Sequence, residues 1–386
     1  MAVAEPAHDT DHDHHEHGEF IAHHFDSAEQ QYDSGKLGIW VFLVTEVLFF
    51  SGLFVAYTLW RSHHPEIFTQ AHVFLDKVLG GINTVVLLFS SLTMAWGVRA
   101  AQMGRNRVVA QMTLITMVCA AMFLGIKAVE YSHKWDLGIK PASLWHYTGE
   151  HTAAVGPLAV SLGISDWLVT LSIIPAILLI AFVVVSVVLR LMDKPVWSTF
   201  SAGLAITVGG YFLGAVGGQL YMQASEGSSS HASRAPVVLH ASSAGYQEQD
   251  HVAGQEKAVD SHAADAKAGE AHPDGNAADE HASNDHGTDA HAGDSGHGAH
   301  AVDPHLPRKE DLDQDVRIFF SIYYCMTGLH AFHILGGIAF LAWIFYRSLV
   351  GHWRPDYFGP VDYVGLYWHL VDLIWIYLFP MLYLID

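Results

Sequence analysis

Two stretches near the end of this chain place ionisable side chains in the middle of long apolar runs. Residues 323–347 read "YYCMTGLHAFHILGGIAFLAWIFYR", with His330 and His333 one helical turn apart; residues 363–384 read "YVGLYWHLVDLIWIYLFPMLYL", with His369 and Asp372 at the same spacing. A spacing of three or four puts such pairs on one helix face. His330, His333 and Gly337 therefore form one group, expected to meet a neighbouring helix where the glycine lets a backbone approach. Two histidines can ligate a metal or haem, but HxxH without a third ligand fixed by sequence favours hydrogen bonding or contact with a lipid headgroup. Asp372 can fix the tautomer of the His369 imidazole, which makes the pair either a satisfied structural dyad or a proton relay.

Two glutamates add to the set. Glu46 in "WVFLVTEVLFFSGLFVAY" stands about 14 Å into its run at about 1.5 Å per residue. At that depth a carboxyl is protonated or hydrogen-bonded inside a bundle, and an intramembrane ionisable group is a functional candidate by default. Glu130 in "GIKAVEYSHKW" follows Lys127 by three residues, a spacing that permits an internal ion pair near the membrane interface. No GxGxxG, Walker A, nucleophile elbow or HExxH occurs in a usable context.

These residues need helices to hold them. Seven runs, 37–60, 78–99, 108–131, 167–190, 200–221, 316–346 and 361–384, are each long enough for a hydrocarbon core of about 30 Å. The runs lack the alternating pattern of barrel strands, so the expected fold is an all-α integral membrane protein with seven transmembrane helices. Lys36, Arg99, Arg105, Arg107, Arg190, Lys194, Arg347 and Arg354 fall on one set of connections, which the positive-inside bias assigns to the cytoplasm. The N-terminus is then cytoplasmic and the C-terminus outside. Gly210, Gly214 and Gly218 form a small-residue ridge on the fifth span, and Pro175 interrupts the fourth. The two spans are expected to form a tight hairpin, or to use the ridge to dock another chain.

Composition bounds the rest. Half of the 386 residues are hydrophobic (51%), and the formal charge of -20 comes mostly from two His/Asp-rich segments, one with seven histidines from His8 to His24 and one with eleven from His231 to His305. Such an acidic balance argues against nucleic acid as a partner. The longer segment cannot bury a core and reads as a disordered outer loop; weak binding of zinc, copper or nickel is its alternative use. Cys119 and Cys325 lie in apolar runs and suggest neither a disulfide nor a metal site. The start of the chain lacks the basic and apolar regions of a cleavable signal peptide. The organisation expected is a cytoplasmic tail (1–36), three helices (37–140), an outer loop and hairpin (141–222), a disordered loop (223–312) and two closing helices (313–386).

Five ordered motifs resemble subunit III of the haem–copper respiratory oxidases, the cytochrome c oxidase subunit III family. They are "GIWVFLVTEVLFFSGLFVAY", "INTVVLLFSSLTMAWG", "KAVEY", "TGLHAFHILGG" and "YWHLVDLIWIYLFPMLYL". The resemblance implies a non-redox subunit of a bacterial inner-membrane oxidase that reduces oxygen to water and pumps protons. The chain itself would carry no cofactor beyond bound phospholipid, with haem and copper in the partner subunits I and II. It would pack on subunit I, hold phospholipid in a cleft and sustain proton uptake. Glu46 matches the family's carbodiimide-reactive intramembrane glutamate. Glu130, His330, His333, His369 and Asp372 fall at positions that shape the bundle and its lipid cleft. Two helices that open the seven-helix form of the family have no counterpart here, which puts the cleft's first wall in question. The hairpin and His/Asp loop are inserted instead, and the hairpin is expected on the bundle's periphery, with further respiratory-complex subunits as its possible neighbours. A quinol oxidase or nitric oxide reductase subunit is the alternative within the superfamily, and a transition-metal transporter or a pure assembly factor the alternative outside it.

Overall fold

Ser27, Asp76 and Ser165 open three of the long helices by one device: a side-chain oxygen accepts from backbone N–H groups of the first turn that would otherwise be unpaired. The computed structural model describes residue 25 and residues 27–141, 144–147, 154–233 and 315–385, with backbone alone for 226–233. Its helices are α1 (Ala28–His63), α2 (Pro65–Ala71), α3 (Lys77–Gln102), α4 (Asn106–Asp136), α5 (Pro157–Leu162), α6 (Asp166–Leu191), α7 (Pro195–Ser233), α8 (Val316–Leu349) and α9 (Gly359–Tyr383). Seven of them are long and apolar enough to cross a membrane, and together they carry the seven runs read from the sequence. Helices α2 and α5 fall outside the seven runs, because a helix of six or seven residues leaves no periodic signal. Helix α7 continues through Ser233, so the stretch 223–233 is helical where a loop was expected. Its Ala, Ser and Glu residues are compatible with a helix but carry no apolar run. The remaining residues of both His-rich segments lie outside the described residues, apart from 231–233 at the end of α7.

Helices α3, α4, α8 and α9 close a ring in which each packs against two others. Its interior is aromatic, with Trp368, Trp375, Tyr323, Tyr383 and Phe123 almost fully buried. Helix α1 leans on α9 and α8, and Tyr57 of α1 donates its hydroxyl to the carbonyl of Met381. Helix α6 buries only Leu168 and exposes a continuous coat of Ile, Leu and Val, the surface expected toward acyl chains.

The turns fix the register. Gly104 adopts φ +67°, a left-handed conformation suited to glycine, and lets α3 reverse into α4. Asn106 then ties that turn to the α8–α9 connection: its Nδ2 donates to the Trp353 carbonyl at 2.8 Å, and its Oδ1 accepts from the Trp353 N–H at 2.9 Å.

Candidate functional site

The polar side chains gather at three levels inside the bundle. The first joins α1 to α8. Nε2 of His333 lies 3.0 Å from Oε2 of Glu46, and Nδ1 lies 2.7 Å from the Leu329 carbonyl. A carbonyl oxygen only accepts, so Nδ1 carries the proton there. Nε2 therefore either accepts from a protonated Glu46 or, as an imidazolium, donates to its carboxylate. Both arrangements leave the pair with no net charge. Phe50 and Phe49 flank the ring at 5.1 and 6.4 Å.

The expectation that His330 and His333 share one neighbour needs correction. His330 is fully buried between Phe123 of α4 (5.6 Å) and Trp375 of α9 (5.4 Å), while His333 turns to α1. Three residues on a helix differ by about 60° around its axis, enough at a junction of several helices to reach different partners. Gly337 does meet another helix: a Cβ there would come within 2.8 Å of the Trp368 ring.

The second level is an ion cluster at the end of the bundle where α1, α4 and α9 finish. Glu130 receives four donors. Lys127 Nζ reaches Oε2 at 2.9 Å, and Lys134 Nζ, the Tyr323 hydroxyl and the Tyr383 hydroxyl reach Oε1 at 2.9, 2.8 and 2.6 Å. Lys127 also donates to the Tyr383 hydroxyl and stands 4.6 Å from the centre of the Trp375 ring. The pair read at the spacing 127–130 is thus part of a larger network. It is also not at an open interface, since Glu130 and Lys134 are only 3% and 2% exposed. Lys134 had a signal, because it follows Glu130 by four residues. Tyr323 and Tyr383 had none, since their approach depends on how the helices pack.

At the third level, Asp372 and His369 meet through a residue that the sequence reading passed over. The Ser91 hydroxyl of α3 donates to Asp372 Oδ2 and lies 3.0 Å from His369 Nδ1. Its single proton is directed at the carboxylate, so His369 Nδ1–H must donate to the serine oxygen. The direct imidazole–carboxylate contact expected at this spacing is replaced by the ordered sequence His369, Ser91, Asp372. The indole N–H of Trp368 donates to the hydroxyl of Ser90 at 3.0 Å, closing the α3–α9 seam.

The glycine ridge of α7 lies against α4. A Cβ on Gly210 or Gly214 would strike the carbonyl oxygen of Val118 or Met122, and one on Gly218 would touch Val129 at 3.4 Å. Gly125 of α4 reciprocates, because a Cβ there would overlap the Tyr211 carbonyl. Helix α6 is joined to α7 by hydroxyls instead: Ser201 donates to the Phe182 carbonyl at 2.7 Å and Ser198 to the Ser186 carbonyl at 2.9 Å. The inserted helices are therefore packed into the bundle through α4 and, near the start of α7, through Phe345 and Tyr346 of α8. Among the described residues, no group of three or more His, Cys, Asp or Glu converges as metal ligands would.

Against known families, the chain matches the one described as Cytochrome c oxidase subunit III over residues 12–167 and 314–386, more than half of its length. The match is interrupted over nearly all of α6 and all of α7. A protein named "Cytochrome c oxidase subunit 3" from Synechocystis sp. is 40% identical over 70 residues, 18% of this chain and 30% of that protein. One of the same name from Thermostichus vulcanus is 38% identical over 69 residues, 18% of this chain and 34% of that protein. A "Probable cytochrome c oxidase subunit 3" from Nocardia farcinica is 34% identical over 65 residues, 17% of this chain and 32% of that protein. The alignments thus span only about a third of each of these relatives. No solved structure matches the chain. With the family's pattern present on both sides of an inserted helical pair, and four of the five long helices it covers closed into one ring on which the fifth, α1, leans, the chain belongs to the cytochrome c oxidase subunit III family.

Proposed function

We propose that this chain is the non-redox subunit III of a haem–copper oxidase in a bacterial cell membrane. It supports an oxygen-reducing, proton-pumping subunit I rather than carrying out electron transfer itself. The observation that supports this most is the family match over residues 12–167 and 314–386. The site geometry agrees with a supporting role: Glu130, Ser91 and His333 each join helices through polar contacts, the first two within the ring of α3, α4, α8 and α9 and the third between α8 and α1. Such bonds in a bilayer are worth about 1 kcal/mol each and serve mainly to fix which helix faces which. In this reading haem and copper belong to subunits I and II, phospholipid occupies grooves of the bundle, and Glu46 is the carbodiimide-reactive carboxyl. In this reading the start of α1 lies on the cytoplasmic side, which the distribution of basic residues among the connections supports.

Co-purification tests the proposal. The tagged full chain, extracted in mild detergent, should bring down a haem-bearing subunit whose spectrum and oxygen consumption identify a haem–copper oxidase. Oxidation of cytochrome c by that complex would support the cytochrome c form, whereas oxidation of quinol alone would assign the chain to a quinol oxidase. Isolation of the chain without haem from cells with active oxidase would overturn the proposal.

A further inference from the structure

A partly open cavity of about 220 Å³ lies beside the Glu130 cluster, between the start of α3, the last turns of α4 and Met222 of α7. Asp76, Glu130, His133 and Lys134 supply its polar lining, and Leu79 and Leu137 are among its apolar walls. Lys134 is buried, and its ammonium carries three N–H donors. One reaches Glu130 at 2.9 Å, and the face of Tyr323 lies 5.4 Å from the nitrogen. No other acceptor approaches it among the described residues. Asp76, at the start of α3, also has capacity to spare. Its Oδ1 accepts from the backbone N–H groups of Val78 and Leu79 at 2.8 and 3.0 Å and from the Tyr221 hydroxyl at 3.5 Å. Its Oδ2 receives no donor among the described residues.

The chemistry of the lining selects the occupant. With His133 neutral, Lys127 and Lys134 balance Glu130 and Asp76, so no net charge draws an ion of either sign. A metal ion would face the Lys134 ammonium, and no group of three or more His, Cys, Asp or Glu converges among the described residues. An apolar guest would leave the spare Lys134 donors and the Asp76 oxygen unmatched, at about 1–3 kcal/mol for each buried group. Water matches both, because it accepts from the ammonium and donates to the carboxylate. The space is also many times the roughly 10–15 Å³ that one water needs. We propose that this cavity is a water-filled inlet from the aqueous phase at that end of the bundle, with ordered water bridging Lys134 to Asp76. The buried ion cluster is then hydrated from one side, which offsets part of the cost of keeping its charges inside a membrane protein. The inference goes beyond the supporting role and does not rest on it.

The test is radiolytic hydroxyl-radical labelling of the full chain in nanodiscs, read residue by residue by mass spectrometry. The radicals form from the water at hand, so a buried side chain is labelled where water is bound beside it. Leu79 and Leu137, 1% and 2% exposed, should be oxidised several-fold faster than Leu87 and Leu341, which are as well buried but do not line the cavity. Mixing into water enriched in heavy oxygen just before the pulse, with dissolved oxygen gas removed, should mark Leu137 to the same isotopic fraction as exposed Leu144. Met222→Trp puts bulk into the cavity from α7 without removing a Glu130 contact, and should bring both wall leucines down to the level of Leu87. Lys134→Met removes the spare donors and should lower the labelling as well. Wall leucines no more reactive than Leu87 and Leu341 would mean a dry cavity and overturn the proposal. Labelling that carries no heavy oxygen would mean sealed-in water and overturn the inlet. Labelling unchanged in Met222→Trp would put the water elsewhere, and labelling unchanged in Lys134→Met would remove Lys134 as its anchor. None of these outcomes bears on the link to an oxidase, because the readout does not use oxygen reduction.

Discussion

His333 holds Glu46 across the α1–α8 interface with Nε2 while Nδ1 is committed to the Leu329 carbonyl, so the carboxyl and the imidazole share one proton between two helices. The neutral-acid form of that pair is the species a hydrophobic carbodiimide attacks. Glu46→Gln should therefore abolish carbodiimide labelling of this chain. The amide can still donate to Nε2, so thermal stability should change by no more than about 0.5 kcal/mol, as for substitutions that preserve their contacts. Mass spectrometry after labelling gives the first result and detergent-phase melting the second. Persistent labelling in Glu46→Gln would mean that another carboxyl reacts.

The Glu130 cluster should behave as one unit. Glu130→Ala leaves Lys127 and Lys134 buried without their shared anion, a change that costs about 3–5 kcal/mol when one member of a buried ion pair is lost. The purified chain should melt at a markedly lower temperature or fail to accumulate. Replacing all three residues together, as Lys127→Met, Glu130→Leu and Lys134→Met, removes the uncompensated charge and should recover most of that loss. A triple variant as unstable as Glu130→Ala would show that the cluster contributes through its tyrosine bonds instead.

How much of this was legible beforehand depends on the range of each signal. Hydropathy marked every long helix because an apolar run is a local property, and the spacing 127–130 marked an ion pair because both partners lie on one helix. Ser91 was invisible for the converse reason. A serine in "LLFSSLTM" is common in membrane helices, and only the approach of α3 to α9 brings it between His369 and Asp372. The glycine ridge announced close packing, yet glycine carries no information about which helix fills the space; α4 does so because Gly125 answers it. His330 and His333 were grouped by spacing, and the junction of four helices separated them.

Ser91→Ala should uncouple His369 from Asp372. It leaves an imidazole N–H without its partner and Asp372 Oδ2 with only the longer contact from the Ser90 hydroxyl at 3.4 Å, at about 1–3 kcal/mol for an unsatisfied buried group. Ser91→Thr keeps the hydroxyl and should lose much less. In a double-mutant cycle, adding Asp372→Asn to Ser91→Ala should cost less than the two separate effects, because both break the same contact. Strict additivity, measured by chemical unfolding in detergent, would rule out the serine as the connecting group.

The inserted helices should depend on a few glycines and not on others that resemble them in sequence. Gly214→Val puts a branched side chain where a single Cβ already meets the Met122 carbonyl, a backbone atom that cannot swing aside. Helix α7 must then move off α4. Gly217 is also on α7, but a Cβ there finds nothing within 4 Å. Gly217→Ala should be tolerated, with a gain of up to about 1 kcal/mol from helix propensity. Spin labels at Gln111 of α4 and Leu213 of α7, both exposed, report the separation directly. The distance distribution should lengthen or broaden in Gly214→Val and stay unchanged in Gly217→Ala. Equal behaviour of the two variants would mean that α7 is held by its contacts to α8, where Phe200 stacks on Phe345 at 6.1 Å, and that the ridge is not its anchor.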